Sequence, residues 1–517
     1  VVGPVNRRLN NRGAYLQRLV FVGVLGQVDG LHAMELAESV ADAGLSAAIK
    51  AGLPKGLMDK PAFGDAEAVQ VRRSQLTAAE LASPLGTYIV NAWRQRSGVA
   101  TDAEGSELDI EKFKGSPESE LLARYLTLKD AVRSTTITPS QFHEARPLGR
   151  GSFGAVFLSF KKDTGAPVAT KKMLKPIVAH SQMIQAALVE REVLSKVRSR
   201  FVVNLLYAWQ DAKWLCLVLT LCPGGDLQFQ INMRYAGSQR MTGSRRKKSN
   251  RQYPGFGLSV LRFYAASMAL GLEAIHQAGY VYRDLKPGNV LLDVRGQVRI
   301  SDMGLTADIS KGPITHVAGT RGYWAPEVIK AQPYTVQPDW FSLGVTMFVL
   351  DSDTHPFAAP DSEKIDQKTC EQPIEFRDEI DPELRSLITE LCVKSKSERL
   401  GCKGGGIDEL KQHAFFSGFD WAALAAGEME AEFVPDPNDI NAPSAKDVET
   451  FKAPPGATWT EEHQKRVEGW EYFGEDWWDE EAIMLISKRK ELAKLASKAG
   501  KEAGGGGGGG GGCCTVS

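Results

Sequence analysis

Long apolar runs are scarce in this sequence. Stretches such as Leu19 to Leu25 stop far short of the ~20 residues a spanning helix needs, so no membrane span is expected. No secretory leader is visible, and the chain opens on Val rather than Met, so residues upstream of Val1 are expected. Cysteine is sparse and odd in number at seven, with no C-x-x-C pair. That argues against a disulfide framework or a zinc site and fits a reduced, cytosolic setting. An excess of one charge is missing too: 62 Lys and Arg stand against 63 Asp and Glu. Nothing then draws the whole chain toward nucleic acid, and no nucleic-acid partner is expected; an electrostatic partner must be met by a local patch. No internal repeat is present. What remains is ordinary globular composition, 43% apolar and 24% charged, in 517 residues. That is too long for one core, and two or three domains are expected.

Residues 1–140 are rich in Ala and Leu, with helical spacing at Leu31, Met34, Ala37 and Val40. Turn residues at Gly52–Pro54 and Pro61–Asp65 divide them into short helices, a small all-α domain. From Phe142 the texture changes to strand-like Phe153–Phe160 and Val168–Met173, then to alternating strands and helices as far as Phe416. Residues 417–486, rich in Trp, Glu, Asp and Pro, read as an extended segment packed over another domain. Residues 487–517 hold a basic helical stretch, a glycine tether at 504–512 and Cys-Cys-Thr-Val-Ser.

Leu148-Gly149-Arg150-Gly151-Ser152-Phe153-Gly154-Ala155-Val156 reads G-x-G-x-x-G-x-V, in which glycines let backbone approach phosphates. Alone it could be any Gly-rich turn. Val168-Ala169-Thr170-Lys171 follows at the distance of the next strand, supplying a cation for phosphates, and strand alternation turns Lys172 to the other face. Glu190, in the helical run Leu188–Val197, could hold Lys171; by itself it would be a solvated charge. Arg283-Asp284-Leu285-Lys286-Pro287-Gly288-Asn289 is more specific, an R-D-x-K-x-x-N catalytic loop. In it Asp284 would orient the attacking hydroxyl and take its proton, Lys286 would face the γ-phosphate, and Asn289 would hold Mg²⁺. Thirteen residues after Asn289, Asp302-Met303-Gly304 follows the strand-like Val298–Ile300, and its carboxylate would chelate Mg²⁺. Ala325-Pro326-Glu327 would close the activation segment, with Arg399 as the buried partner of Glu327. Leu219 would gate the adenine pocket, with Thr220 to Cys222 as hinge and Asp226 near the ribose, and Leu148, Val156, Ala169 and Leu291 would also line the ATP site.

From Phe142 to Phe416 these motifs resemble the AGC group of Ser/Thr protein kinases, and within it the G-protein-coupled receptor kinases. Ser199-Arg-Phe-Val-Val203, Cys216-Leu-Val-Leu-Thr220, Gly224-Gly-Asp-Leu227 and Arg299-Ile-Ser-Asp-Met-Gly-Leu305 carry the likeness. The apolar Met303 resembles the Leu that receptor kinases place there. The resemblance implies an α+β bilobal kinase fold, an N-terminal RGS-like helical bundle, and an AGC C-terminal tail over 417–486. Phe433-Val-Pro-Asp436 and Ala445-Lys-Asp-Val448 resemble that tail, and Trp470-Glu-Tyr-Phe473 would be its aromatic docking element. It also implies ATP and Mg²⁺ as cofactors and cytoplasmic Ser/Thr of activated seven-helix receptors as substrate. Three departures stand out. His316, beside Thr315, occupies the place of a phosphorylated Thr in many AGC kinases. Gly288 replaces an acidic residue that selects basic substrates, so acidic or phosphorylated segments would be preferred. A basic insertion around 234–251, from Arg234 to Arg251, reads as a solvated loop or as a site for acidic lipids or substrate tails.

Cys514-Thr515-Val516-Ser517 fits C-a-a-X, with the final Ser favouring farnesyl on Cys514; Cys513 could carry palmitoyl. Six basic residues between Ser487 and Lys501 would add attraction to an anionic membrane, giving a peripheral protein on its cytoplasmic face. Two alternatives remain open: an AGC-type kinase with other substrates, and an inactive membrane-tethered scaffold, against which Lys171, Asp284, Asn289 and Asp302 all count.

Overall fold

A computed structural model describes residues 137–151, 154–162, 166–242, 255–293, 295–435 and 453–474. The expected RGS-like bundle falls almost wholly outside the described residues, as do Ser152, Phe153, the tail motif 445–448 and everything in 487–517. The small lobe is built on β1 (Phe142–Gly151), β2 (Gly154–Lys161), β3 (Pro167–Leu174), β4 (Leu205–Gln210) and β5 (Trp214–Leu219). They form an antiparallel sheet in the order β1-β2-β3-β5-β4. Between β3 and β4 lie α1 (Lys175–His180) and α2 (Ile184–Lys196). Ile184, Ala187, Glu190, Val193 and Leu194 share the buried face of α2 at helical spacing, so a carboxylate rides on an otherwise apolar stripe.

The large lobe is mainly helical. α3 (Leu227–Thr242) continues into the basic insertion, so its first part is helix rather than loop; 243–254 lie outside the described residues. α4 (Leu258–Gln277) has the length and apolar character to cross a membrane, which a search for uninterrupted apolar runs overlooks. Its most apolar stretch is 67% buried, and it serves as a core helix. Then come β6 (Tyr280–Val281), the hairpin β7 (Val290–Leu292) and β8 (Val298–Ile300), and β9 (Ala307–Asp308), which pairs with β6. α5 (Pro326–Ile329), α6 (Gln337–Ser352), α7 (Ser362–Glu371), α8 (Pro382–Leu391), α9 (Ile407–Lys411) and α10 (Trp421–Ala426) complete it. From Pro338 to Asp351 every residue of α6 is buried, as befits a helix at the centre of a lobe. One apolar cluster joins the lobes: Val193, Leu194 and Leu205 belong to the same core as Tyr282, Met303 and Phe341.

Residues 417–435 and 453–474 contain more regular structure than their composition suggested. Beyond α10 the chain passes Gly296, where a Cβ would lie 2.1 Å from Phe433 O, and Gly224, where one would lie 2.6 Å from Pro435. It continues through α11 (Glu461–Arg466) to β10 (Tyr472–Phe473), which pairs antiparallel with β4 and covers the sheet edge. Trp470, 1% exposed, donates its indole N–H to Cys216 O at 3.1 Å.

Candidate active site

Strand alternation separates two neighbouring lysines. Lys172 leaves the cleft for Glu144, 2.5 Å away, and lies over the Trp214 ring. Lys171 turns inward, 2.6 Å from Glu190 Oε1 and 3.3 Å from Asp302 Oδ1. Burial works against the Lys171 ammonium, but the Asp302 and Glu190 carboxylates outweigh it and raise its pKa. In turn Lys171 holds Asp302 below the ordinary carboxylate range, against the effect of burial. Asp302 adopts a left-handed backbone (φ 56°, ψ 78°) that a non-glycine residue rarely takes. It is held there by a loop whose Gly304 N–H meets its carboxylate at 3.4 Å.

In the catalytic loop, Asp284 Oδ2 accepts from Lys286 Nζ at 2.9 Å and Asn289 Nδ2 at 2.7 Å; Oδ1 accepts from Thr320 Oγ at 2.6 Å. Asn289 Nδ2 also donates to Asp284 O at 2.9 Å, which aims the amide nitrogen at Asp284 and leaves the oxygen for a cation. The β7–β8 hairpin brings the two groups of residues together. Its Val290–Ile300 pairing sets Asn289 beside Ser301, whose N–H and hydroxyl both reach Asn289 O, and Asp302 is the next residue. Underneath, Asp339 accepts the amides of Tyr282 (2.8 Å) and Arg283 (2.7 Å) and meets His276 Nε2 at 2.8 Å. Arg283 is a second left-handed residue, φ 72°. Arg399 and Glu327 form the buried two-bond pair expected of them, at 2.6 and 2.9 Å.

Leu148, Val156 and Leu219 pack on Leu158, Phe160, Ala169 and Leu221, making an apolar wall at the mouth of the sheet. Registers Val156–Lys171 and Ala169–Leu219 place that wall directly beside the inward lysine. Thr220 is buried and its N–H bonds to Asn204 O at 3.0 Å; Cys222 is half-buried and contacts the core. Leu291 faces Asp226 across a backbone bridge. Asp226 also caps the start of α3, accepting from Phe229 N–H at 2.7 Å, so its carboxylate has a structural role as well. Among the described residues no three His, Cys, Asp or Glu side chains gather as a metal cage. Asn289 and Asp302 offer oxygen ligands only, which fits Mg²⁺, an ion held by one or two side chains plus phosphate oxygens.

Residues 142–416, just over half of the chain, match the protein kinase domain family. The chain belongs to the protein kinase family. It is 38% identical over 355 residues to G protein-coupled receptor kinase 2 of Drosophila melanogaster, covering 67% of this chain and 47% of that one. It is 34% identical to mouse G protein-coupled receptor kinase 4 over 68% of this chain and 58% of that protein. With human beta-adrenergic receptor kinase 1 the identity is 36%, over 66% of this chain and 48% of the other. The chain thus spans about half the length of these relatives.

Three positioning residues escaped the sequence reading. Thr320 touches both Asp284 and Lys286, at 2.6 Å each. His276 backs Asp339. Arg191, next to Glu190, bonds the carbonyls of Gly469, Trp470 and Glu471 at 3.1, 3.2 and 2.9 Å. Only Thr320 had a local signal, its place between Gly319 and Ala325-Pro-Glu; the other two depend on distant chain.

Proposed function

We propose that this kinase transfers the γ-phosphoryl of ATP to Ser and Thr hydroxyls on the cytoplasmic parts of activated seven-helix receptors. The observation that carries the reading is the joining of Lys171, Glu190 and Asp302 to Asp284 and Asn289 through one hairpin and Ser301. In this scheme the apolar wall of Leu148, Val156, Ala169 and Leu219 takes one face of the adenine and Leu291, from the β7–β8 hairpin, the other, with Thr220 and Cys222 at the hinge. Gly149, Gly151 and Gly154 let the β1–β2 turn lie close to phosphates, and Lys171, steadied by Glu190, aligns them. Asn289 and Asp302 would hold Mg²⁺, which would supply positive charge against the phosphates. Asp284 orients the attacking hydroxyl and accepts its proton, while Lys286 supplies positive charge beside the transferred group.

Asp284→Asn keeps the shape of the loop and removes the base. Turnover of ATP with a serine peptide should fall by at least ~100-fold; undiminished turnover would sink the assignment. Receptor selectivity is tested by phosphorylation of agonist-occupied against empty receptor in vesicles. A faster rate on the occupied form is expected, and equal rates would point to a kinase with other substrates.

The C-terminal residues support a peripheral location on the cytoplasmic membrane face: farnesyl on Cys514, palmitoyl on Cys513, and the basic stretch of 487–501 on anionic lipid. Cys514→Ser should shift the protein from the membrane to the soluble fraction of cells. Unchanged partition would discard the lipid.

A further inference from the structure

Thr315, His316 and Val317 are exposed, yet Thr320, only a few residues on, is fixed against Asp284 and Lys286. Something must hold the intervening main chain. Ile314 and Tyr334 exchange both backbone hydrogen bonds, each 2.9 Å, as an isolated antiparallel bridge. The Tyr334 hydroxyl, on a residue 1% exposed, donates to the His316 carbonyl. Farther along, Gly319 (φ 106°) lies so close to the catalytic loop that a Cβ would come 2.2 Å from Arg283 O. No other residue type fits there, and the approach depends on the path set upstream.

Tyr334 belongs to a short stretch with several such duties. Gln337 O accepts from Arg399 at 2.8 Å while Arg399 grips Glu327, the end of the same segment. Asp339 holds the amides that enter the catalytic loop. Residues 334–339 therefore anchor the middle of the activation segment, its end, and Asp284's own loop.

We propose that Tyr334 is a positioning residue for phosphoryl transfer. Its buried hydroxyl fixes the main chain at His316 so that Gly319 and Thr320 meet the catalytic loop and a peptide hydroxyl is presented to Asp284. The acceptor is a backbone carbonyl, so the side chain at position 316 does not matter to this clamp, and no charge on the segment is required. The inference rests on the kinase reading above.

The test compares the full chain with Tyr334→Phe and His316→Ala, using ATP and an acidic serine peptide, together with amide hydrogen exchange over residues 312–320. Tyr334→Phe should lower kcat/KM for the peptide about tenfold, with the KM for ATP unchanged and only the small fall in melting temperature that the loss of one hydrogen bond brings. Exchange in 312–320 should quicken in that variant alone, and His316→Ala should match the parent in both readouts. Unchanged peptide kinetics and exchange in Tyr334→Phe would overturn the inference, as would a loss confined to ATP affinity or to overall stability. Exchange reports on the clamp even in a chain with no turnover. An inactive parent therefore counts against the kinase reading, and unaltered exchange counts against the clamp.

Discussion

The two halves of the active site are held by different means. Asp284 and Asn289 stand on a base internal to the large lobe: Asp339 under the loop, the β7–β8 hairpin beside it, and the Glu327–Arg399 pair behind. Lys171 and Glu190 are braced from far along the chain, since Arg191 on the same helix is bound to the carbonyls of 469–471 and Trp470 is buried against β5. A site half of which is propped by a remote segment can be weakened there without any change at the residues that touch phosphate. The half that holds Asp284 depends on contacts within its own lobe, while the half that holds Lys171 depends also on a segment more than 270 residues along the chain.

Four changes test that contrast. Arg399→Met leaves Glu327 buried without its partner and should destabilise the large lobe by about 3–5 kcal/mol. Denaturant melts should show this as a lowered midpoint, and a loss below ~1 kcal/mol would mean the lobe's base lies elsewhere. Trp470→Ala opens a hole in the small lobe at a cost of about 3 kcal/mol. Its effect should appear as faster exchange in β4, β5 and α2, with the catalytic loop as protected as before; equal loosening of both lobes would erase the distinction. Arg191→Ala removes three bonds to carbonyls and should raise the KM for ATP several-fold by freeing α2, while the large lobe melts normally. If kcat alone changed, Arg191 would not be acting through the Lys171–Glu190 pair.

The smallest effect concerns pH. Burial pushes His355 below the usual value of 6.5, the Gly322 backbone opposing it. The folded state thus favours the neutral ring, and the unfolded chain takes up the proton first as pH falls. The stability it contributes is present above pH 6.5 and is lost on going below it. His355→Gln should flatten the fall in melting temperature between about pH 7 and 5.5, confined to the large lobe. A slope equal to the parent's would assign that fall to another group.

Much of the site could be read from the chain because phosphoryl transfer needs particular residue types at short fixed spacings. Gly149 to Val156, Asp284 to Asn289 and Asp302 to Gly304 are each local, and a strand's period of two separates Lys171 from Lys172. The Glu327–Arg399 pair is expected from the Ala325-Pro326-Glu327 motif, although the two partners stand 72 residues apart. By contrast, the basic segment after Arg234 reads as a solvated loop or a site for acidic partners, and since charge says nothing about whether a helix continues, neither reading anticipates that α3 runs on to Thr242. Asp226 was expected near a ribose, and its bond to Phe229 N–H shows a capping duty that the same residue type serves equally well.

By itself the amino-acid order determined which chemical groups are present, the strands and helices that carry them, and which lysine faces the cleft, because each follows from a repeat of a few residues. Only the tertiary structure decided that Thr320 closes on Asp284, that Tyr334 holds the His316 main chain, and that a segment near residue 470 braces the helix bearing Glu190. Those contacts join parts of the chain from 18 to 280 residues apart, and at such separations no local periodicity records who meets whom.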